Sequence, residues 1–200
     1  MDFIAVLDYE NLDNAMFLTA FARALARKEK RGIVLHGDSE YTDRIIQTGV
    51  MREDAQIRAV KELNHRLVAL FADEGISTIA VNGFQKSLIR TDGQQIVIEK
   101  KQILDMPSQP VLLISNLGED TRTGKPVPIP LPKLAEALRK GFDVAGIDLF
   151  SIQESADMMP EGLPKLIDLD QCSTKFKEEH IPGSFRDEEF TIRLNTPSVF

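Results

Sequence analysis

Short unbroken apolar runs alternate along this chain with longer stretches in which apolar residues return every third or fourth position. Residues 3–7 (FIAVL) form the first run, the pattern of a strand buried on both faces of a parallel sheet. A polar turn over 8–13 follows, in which Asn11 or Asp13 can cap the next helix. Phe17, Phe21, Ala24 and Leu25 then share one helical face. Lys28, Lys30 and Arg31 suit a helix C-terminus, and Gly32 is placed to end it. Residues 33–35 (IVL) are the second strand, and His36, Gly37, Asp38 and Ser39 make the loop at its carboxyl end.

The clearest helix covers 53–74, where Ile57, Val60, Leu63, Leu67, Leu70 and Phe71 stand three and four apart and Gly75 closes it. Residues 76–81 read as a strand ending at Asn82 and Gly83, and 87–90 with 95–99 as a hairpin about Asp92 and Gly93. A further strand is predicted over 110–115, a short helix over 133–140 stopped by Gly141, and a strand over 143–150. Pro126, Pro128, Pro130 and Pro132 alternate with Val127, Ile129 and Leu131; such a segment must be extended, polyproline-like or at a sheet edge. Beyond residue 151 periodicity fades, and only 189–194 reads as a strand. The alternation of strands and helices predicts an α/β fold, a three-layer α/β/α sandwich around a mostly parallel sheet, in one domain over 1–200.

Composition narrows the function. The net charge of −7, from 24 Lys+Arg against 31 Asp+Glu, argues against nucleic acid or an anionic membrane as partner. No apolar run approaches the roughly 20 residues of a membrane span, no basic signal region precedes the first strand, and a single cysteine, Cys172, fits a reducing, cytoplasmic location. The last fifty residues hold ten acids against five bases, the balance of a solvated end.

The candidate ligand-binding residues are His36, Gly37, Asp38, Ser39, Asn82 and Gly83, because open α/β sheets bind ligands at the carboxyl ends of their strands. Each has a plainer reading. His36 can simply bond a neighbouring carbonyl, Asp38 and Ser39 can cap the next helix, and Asn82 with Gly83 can be a strand-ending turn. His65 and His180 sit among charged neighbours and read as solvated. Three scattered histidines and one cysteine lack the spacing of metal ligands, so no metal site is expected.

The order of these elements resembles the amino acid kinase family, and the acetylglutamate kinases in particular. Residues 32–39 (GIVLHGDS) are similar to the strand and turn that family writes V-V-H-G-G-G. Residues 56–83 are similar to its long helix and following G-L-S-G-type strand, and 110–118 with Thr123 and Gly124 to its P-V-I-x-x-I-G…G segment. The match spans about 1–150, which leaves 151–200 as an acidic, shortened remnant of the nucleotide-binding part. The resemblance implies an acetylglutamate kinase-like fold and a homodimer through the 53–74 helix.

Departures from the family pattern concern its machinery. The first strand's K-x-G-G falls on Val6, Asp8 and Tyr9: a valine cannot neutralise a transferring phosphoryl group, and an aspartate repels it. The N-x-N-x-D segment falls on Pro128, Pro130 and Pro132. The expectation is a protein without phosphoryl transfer and without a cofactor, acting as a small-molecule-binding or interaction protein in amino-acid metabolism; its catalytic residues are unknown. One alternative is an active kinase using ATP and Mg²⁺ on an N-acetylglutamate-like carboxylate, with Lys86, Arg90, Lys100 and Lys101 as its only obvious reserve of cations. Another is a different enzyme reusing His36, Asp38 and Asn82.

Overall fold

A computed structural model describes residues 1–107, 111–152 and 160–200. Seven strands form the main sheet: β1 (Phe3–Leu7), β2 (Gly32–His36), β3 (Thr78–Asn82), β6 (Val111–Ser115), β9 (Ile147–Phe150), β10 (Lys165–Asp168) and β11 (Thr191–Asn195). Their order is β10-β11-β9-β1-β2-β6-β3, and every pairing is parallel except β10 with β11. Strand β1 is buried along its whole length, as its continuous apolar run requires when helices cover both faces.

The side-chain period of two divides the core. Phe3, Ala5 and Leu7 of β1, with Val34 and Leu113, face Phe21 and Leu25 of α2 (Ala15–Ala26) and Leu63, Leu67 and Phe71 of α4 (Arg52–Asp73). Ile4, Val6, Ile33 and Leu35 face the other way, toward Leu134 and Leu138 of α6 (Leu131–Phe142) and Ile103 of α5 (Lys100–Leu104). Each such fully buried side chain contributes about 1.5–3 kcal/mol. The three-layer α/β/α sandwich is therefore present.

A second, four-stranded sheet lies on the α6 side, in the order β5 (Ile96–Ile98), β4 (Ile89–Thr91), β7 (Leu117–Asp120), β8 (Pro126–Pro128). The predicted hairpin is β4–β5, with Gly93 at φ 93°. The proline segment is an edge strand, and the register explains how. Ile129 N–H donates to Asn116 O and Asp120 N–H to Lys125 O, both at 2.9 Å. Pro128 and Pro126 thereby face Leu117 and Glu119 at the positions of an antiparallel pair that need no N–H.

Several local expectations change. Helix α2 ends at Ala26, and Gly32 is instead the first residue of β2, where a side chain would collide with the Phe3 ring. Its N-cap is Asn14, which accepts from Phe17 N–H at 2.9 Å, rather than Asn11 or Asp13. Helix α6 runs through Gly141 and stops at Asp143, whose left-handed backbone (φ 56°) turns the chain out. The segment after 160 is more regular than its sequence suggests: besides β10 and β11 it holds α7 (Thr174–His180) and a 3-10 turn over Gly183–Phe185. The predicted strand over 110–115 begins at Val111; Pro110 lies outside the described residues.

Candidate functional site

Strands β1, β2 and β6 end in register, with Leu7 beside His36 and His36 beside Ser115. The next residue on each is Asp8, Gly37 and Asn116, so these three form a row at the carboxyl edge of the sheet. Period two then separates two sets of polar groups. His36, Ser115 and Asn82 belong to the α4 side. Asp8, Gly37 and Asn116 belong to the other; together with Asp38, and with Gln56 near the start of α4, they line an open cleft of about 340 Å³ at the sheet edge, which Pro128, Ile129 and Pro130 also line.

Asp8 is the N-cap of α1 (Tyr9–Leu12) and only 5% exposed. Its N–H donates to Asn11 Oδ1 at 3.2 Å, and its Oδ2 accepts from Ser184 Oγ at 2.9 Å. Burial raises its pKa above the usual carboxylate value, against the hydrogen bonds from Tyr9 N–H and Ser184. Asp38 Oδ1 accepts from Ser39 N–H at 2.8 Å and from the Thr42 hydroxyl, which fastens the start of α3 (Tyr41–Ile46). Burial raises this carboxyl too, opposed by the Ser39 N–H, Arg52 and Gln56. Asn116 donates from Nδ2 to Ile129 O at 2.9 Å, while its buried Oδ1 has no hydrogen-bond partner.

Of the sequence-predicted residues, Gly37 and Asp38 line this cleft and the other four do not. His36 is fully buried on the α4 side, with Nδ1 3.2 Å from Gly37 O and the Asn64 amide beside its ring. Burial pushes its pKa down to about 4, so the ring is neutral. Ser39 is buried, and its Oγ accepts from Tyr41 N–H at 3.3 Å. Asn82 Oδ1 accepts from Ser115 Oγ at 2.9 Å. Gly83 is a packing glycine: a Cβ there would stand 2.6 Å from Leu117 O. Asn116 was not legible as a site residue, because its place in the row depends on pairing with strands far away in the chain.

Val6, at the position of the family's lysine, is buried in the core. The reserve cations lie elsewhere. Arg90 pairs with Glu99, Lys100 covers the Phe142 ring at 5.6 Å, and Lys86 and Lys101 are exposed. Among the described residues lining the cleft there is no lysine or arginine. A second hollow, of about 240 Å³, lies under the hairpin turn on the other side of Pro128–Pro130, and here Arg122 and Lys133 do line the wall, with Asp92 and Asp120.

The chain after residue 180 reaches the end of β1. Besides the Ser184–Asp8 bond, Gly183 N–H donates to Glu10 Oε1 at 3.3 Å. His180 corrects its solvated reading: it is 6% exposed, packs on Phe176 and sits 3.3 Å from Ser151 Oγ. The charged run before it misled because the contact that buries it is 29 residues away. His65, by contrast, is exposed, as expected. Among the described residues no group of three or more His, Cys, Asp and Glu is arranged to hold a metal ion, and no helix is long and apolar enough to cross a membrane.

No protein-family model and no curated protein matches the sequence. Solved structures do match the fold. N-acetylglutamate synthase from Neisseria gonorrhoeae, complexed with coenzyme A and N-acetyl-glutamate, aligns over 98% of this chain and 54% of its own, at TM-score 0.61 and 12% identity. An isopentenyl phosphate kinase substrate complex aligns over 97% of this chain and 99% of its own, at TM-score 0.60 and 10% identity. Escherichia coli aspartokinase III with aspartate and ADP aligns over 75% and 49%, at TM-score 0.57 and 8% identity. The chain thus has the amino acid kinase fold, and it spans about half the length of the synthase and the aspartokinase.

Proposed function

We propose that this protein uses the amino acid kinase fold to bind a small molecule without transferring phosphate. One observation carries the reading: the cleft at the ends of β1, β2 and β6 is lined by Asp8 and Asp38 and, among the described residues lining it, by no lysine or arginine. Phosphoryl transfer works by positioning and by stabilising negative charge on the phosphate oxygens. Two carboxylates do the reverse, and Pro128 and Pro130 offer no N–H in compensation. The groups present therefore do not fit the phosphates of Mg-ATP.

Residues 151–200 fit the part of a shortened nucleotide lobe, since the turn at 183–185 is fastened over Asp8 and Glu10. A homodimer through α4 belongs to the same reading. Its outward face carries Asp54, Glu62 and Asp73 together with Arg58 and Arg66, opposite charges that a two-fold axis can pair. Sedimentation of the full chain reads that state directly: a monomer at micromolar concentration rejects the dimer.

The test of the function is calorimetric titration with Mg-ATP, with and without N-acetylglutamate, alongside a phosphate-release assay. We expect no saturable heat and no release above background. Saturable Mg-ATP binding with turnover overturns the proposal.

A further inference from the structure

We infer that residues 39–51, α3 and the loop after it, are a flap on the cleft that opens as a unit while the sheet stays folded. The flap belongs to the cleft of the reading above, but it is tested on the protein alone and can fail while that reading stands.

Helix α3 is packed apart from the rest of the molecule. Of its six residues only Thr42 and Ile45 are buried. Ile45 lies with Ala55 and Ala59 of α4, and Tyr41, Ile46 and Val50 pack against them, in a cluster separate from both core layers. The part of α4 that enters the core, Leu63, Leu67 and Phe71, begins a turn later. A helix this short has no stability of its own, and its N-cap residue, Glu40, makes no side-chain capping bond. Few buried apolar contacts mark a segment that opens locally, below the free energy of global unfolding.

The bonds that fasten the flap are polar and exposed. Glu40 N–H donates to Asp13 Oδ2 at 2.7 Å, and Tyr9 OH donates to Asp43 Oδ2 at 3.3 Å. Arg52 stands 3.6 Å from the Asp43 carboxylate, with both side chains largely in solvent. Water competes for each of these bonds, so each contributes little. Gly49, at φ 86° with open space around it, turns the chain from α3 toward α4. Two ties reach the cleft itself. Tyr9 and Asp38 line it; Tyr9 is bonded to Asp43, and Asp38 accepts from the Thr42 hydroxyl. Opening the flap therefore releases a phenol and a carboxylate that line the cleft, and closing it fixes both.

The chain has two tyrosines and no tryptophan. Tyr9 sits in the latch and Tyr41 in the flap's own cluster, so tyrosine fluorescence reports on this region alone. In urea we expect the tyrosine signal of the full chain to change at a lower concentration than its far-UV circular dichroism. Hydrogen exchange at neutral pH should run at least about 100-fold faster at the amides of 43–49 than at those of 63–71. Tyr9→Phe removes the latch hydroxyl and keeps the ring. It should speed exchange at 43–49 about threefold, the scale of one hydrogen bond, and leave exchange at 63–71 unmoved. Coincident urea transitions, or exchange at 43–49 as slow as at 63–71, overturn the flap. An unchanged rate at 43–49 in Tyr9→Phe overturns its latch on the cleft. None of these readouts involves Mg-ATP, whose titration decides the functional reading separately.

Discussion

Pro128, Ile129 and Pro130 have a hollow on each side: the cleft that ends β1, β2 and β6, and the space beneath the β4–β5 turn. Both contain two aspartates, yet their carboxyls are displaced in opposite directions. Asp8 and Asp38 stand at strand ends, where burial raises them. Asp92 stands in the exposed hairpin turn and Asp120 at the end of β7, where hydrogen bonds from nearby N–H groups, Gln95 for one and Arg122 for the other, lower them. The same residue type is therefore a costly buried charge in one hollow and a carboxylate held by the N–H groups that follow it in the other. What separates them is the source of the polar groups. Sheet register fixes the first set in place, and local turn chemistry produces the second.

The shared wall offers the strongest way to break this comparison. Ile129 is 3% exposed and packs on Gly118, so Ile129→Ala should cost about 2–4 kcal/mol in urea denaturation and loosen both hollows together. Acid should act on both sides: the lowered carboxyls of Asp92 and Asp120 take up their protons later in the folded state than in the unfolded one, so what they contribute is lost as pH falls through their folded values. His36 is neutral in the folded protein down to about pH 4, whereas the unfolded imidazole takes up a proton below 6.5, so stability falls between those values by up to about 3 kcal/mol. The raised carboxyls of Asp8 and Asp38 have the opposite sign: the folded state binds their protons first, so stability rises as pH falls through their folded values. Thermal melts of His36→Leu across this range should show a shallower acid loss; an unchanged slope removes His36 as its cause.

Gly83→Ala forces a Cβ against the Leu117 carbonyl and should lower the denaturation midpoint by an amount equivalent to about 1–3 kcal/mol. Arg122→Ala sharpens the contrast from the weak end. Its ion pair with Asp120 is 3.7 Å long and largely exposed on the arginine side, so the midpoint should stay where it is.

The same division governs what could be read from the sequence. The apolar runs of β1 and β2 and the three-and-four spacing of α4 announced themselves, because local periodicity is enough to state that a segment is buried on two faces or one. Gly93 was legible as a hairpin residue for the same local reason. Gly83 was legible as a turn but not as a packing position, since its neighbour Leu117 comes from another strand. The cleft was half visible. Gly37 and Asp38 follow a recognisable strand, while Asn116 and the capping of Asp8 by Ser184 depend on partners 13 and 176 residues away. His36 drew attention because it follows a buried strand, and the parity of its position then turned it toward α4.

The place of β1 between β2 and β9 has a kinetic consequence. One neighbour begins at residue 32, but the other is not available until residues 147–150 have been made, and β11 adds to β9 later still. Until then the first strand keeps one row of backbone N–H and C=O groups open to any other extended segment. Pairings between such distant parts of a chain raise contact order and slow folding. Strand β1 is therefore an exposed edge during synthesis until β9 pairs with it.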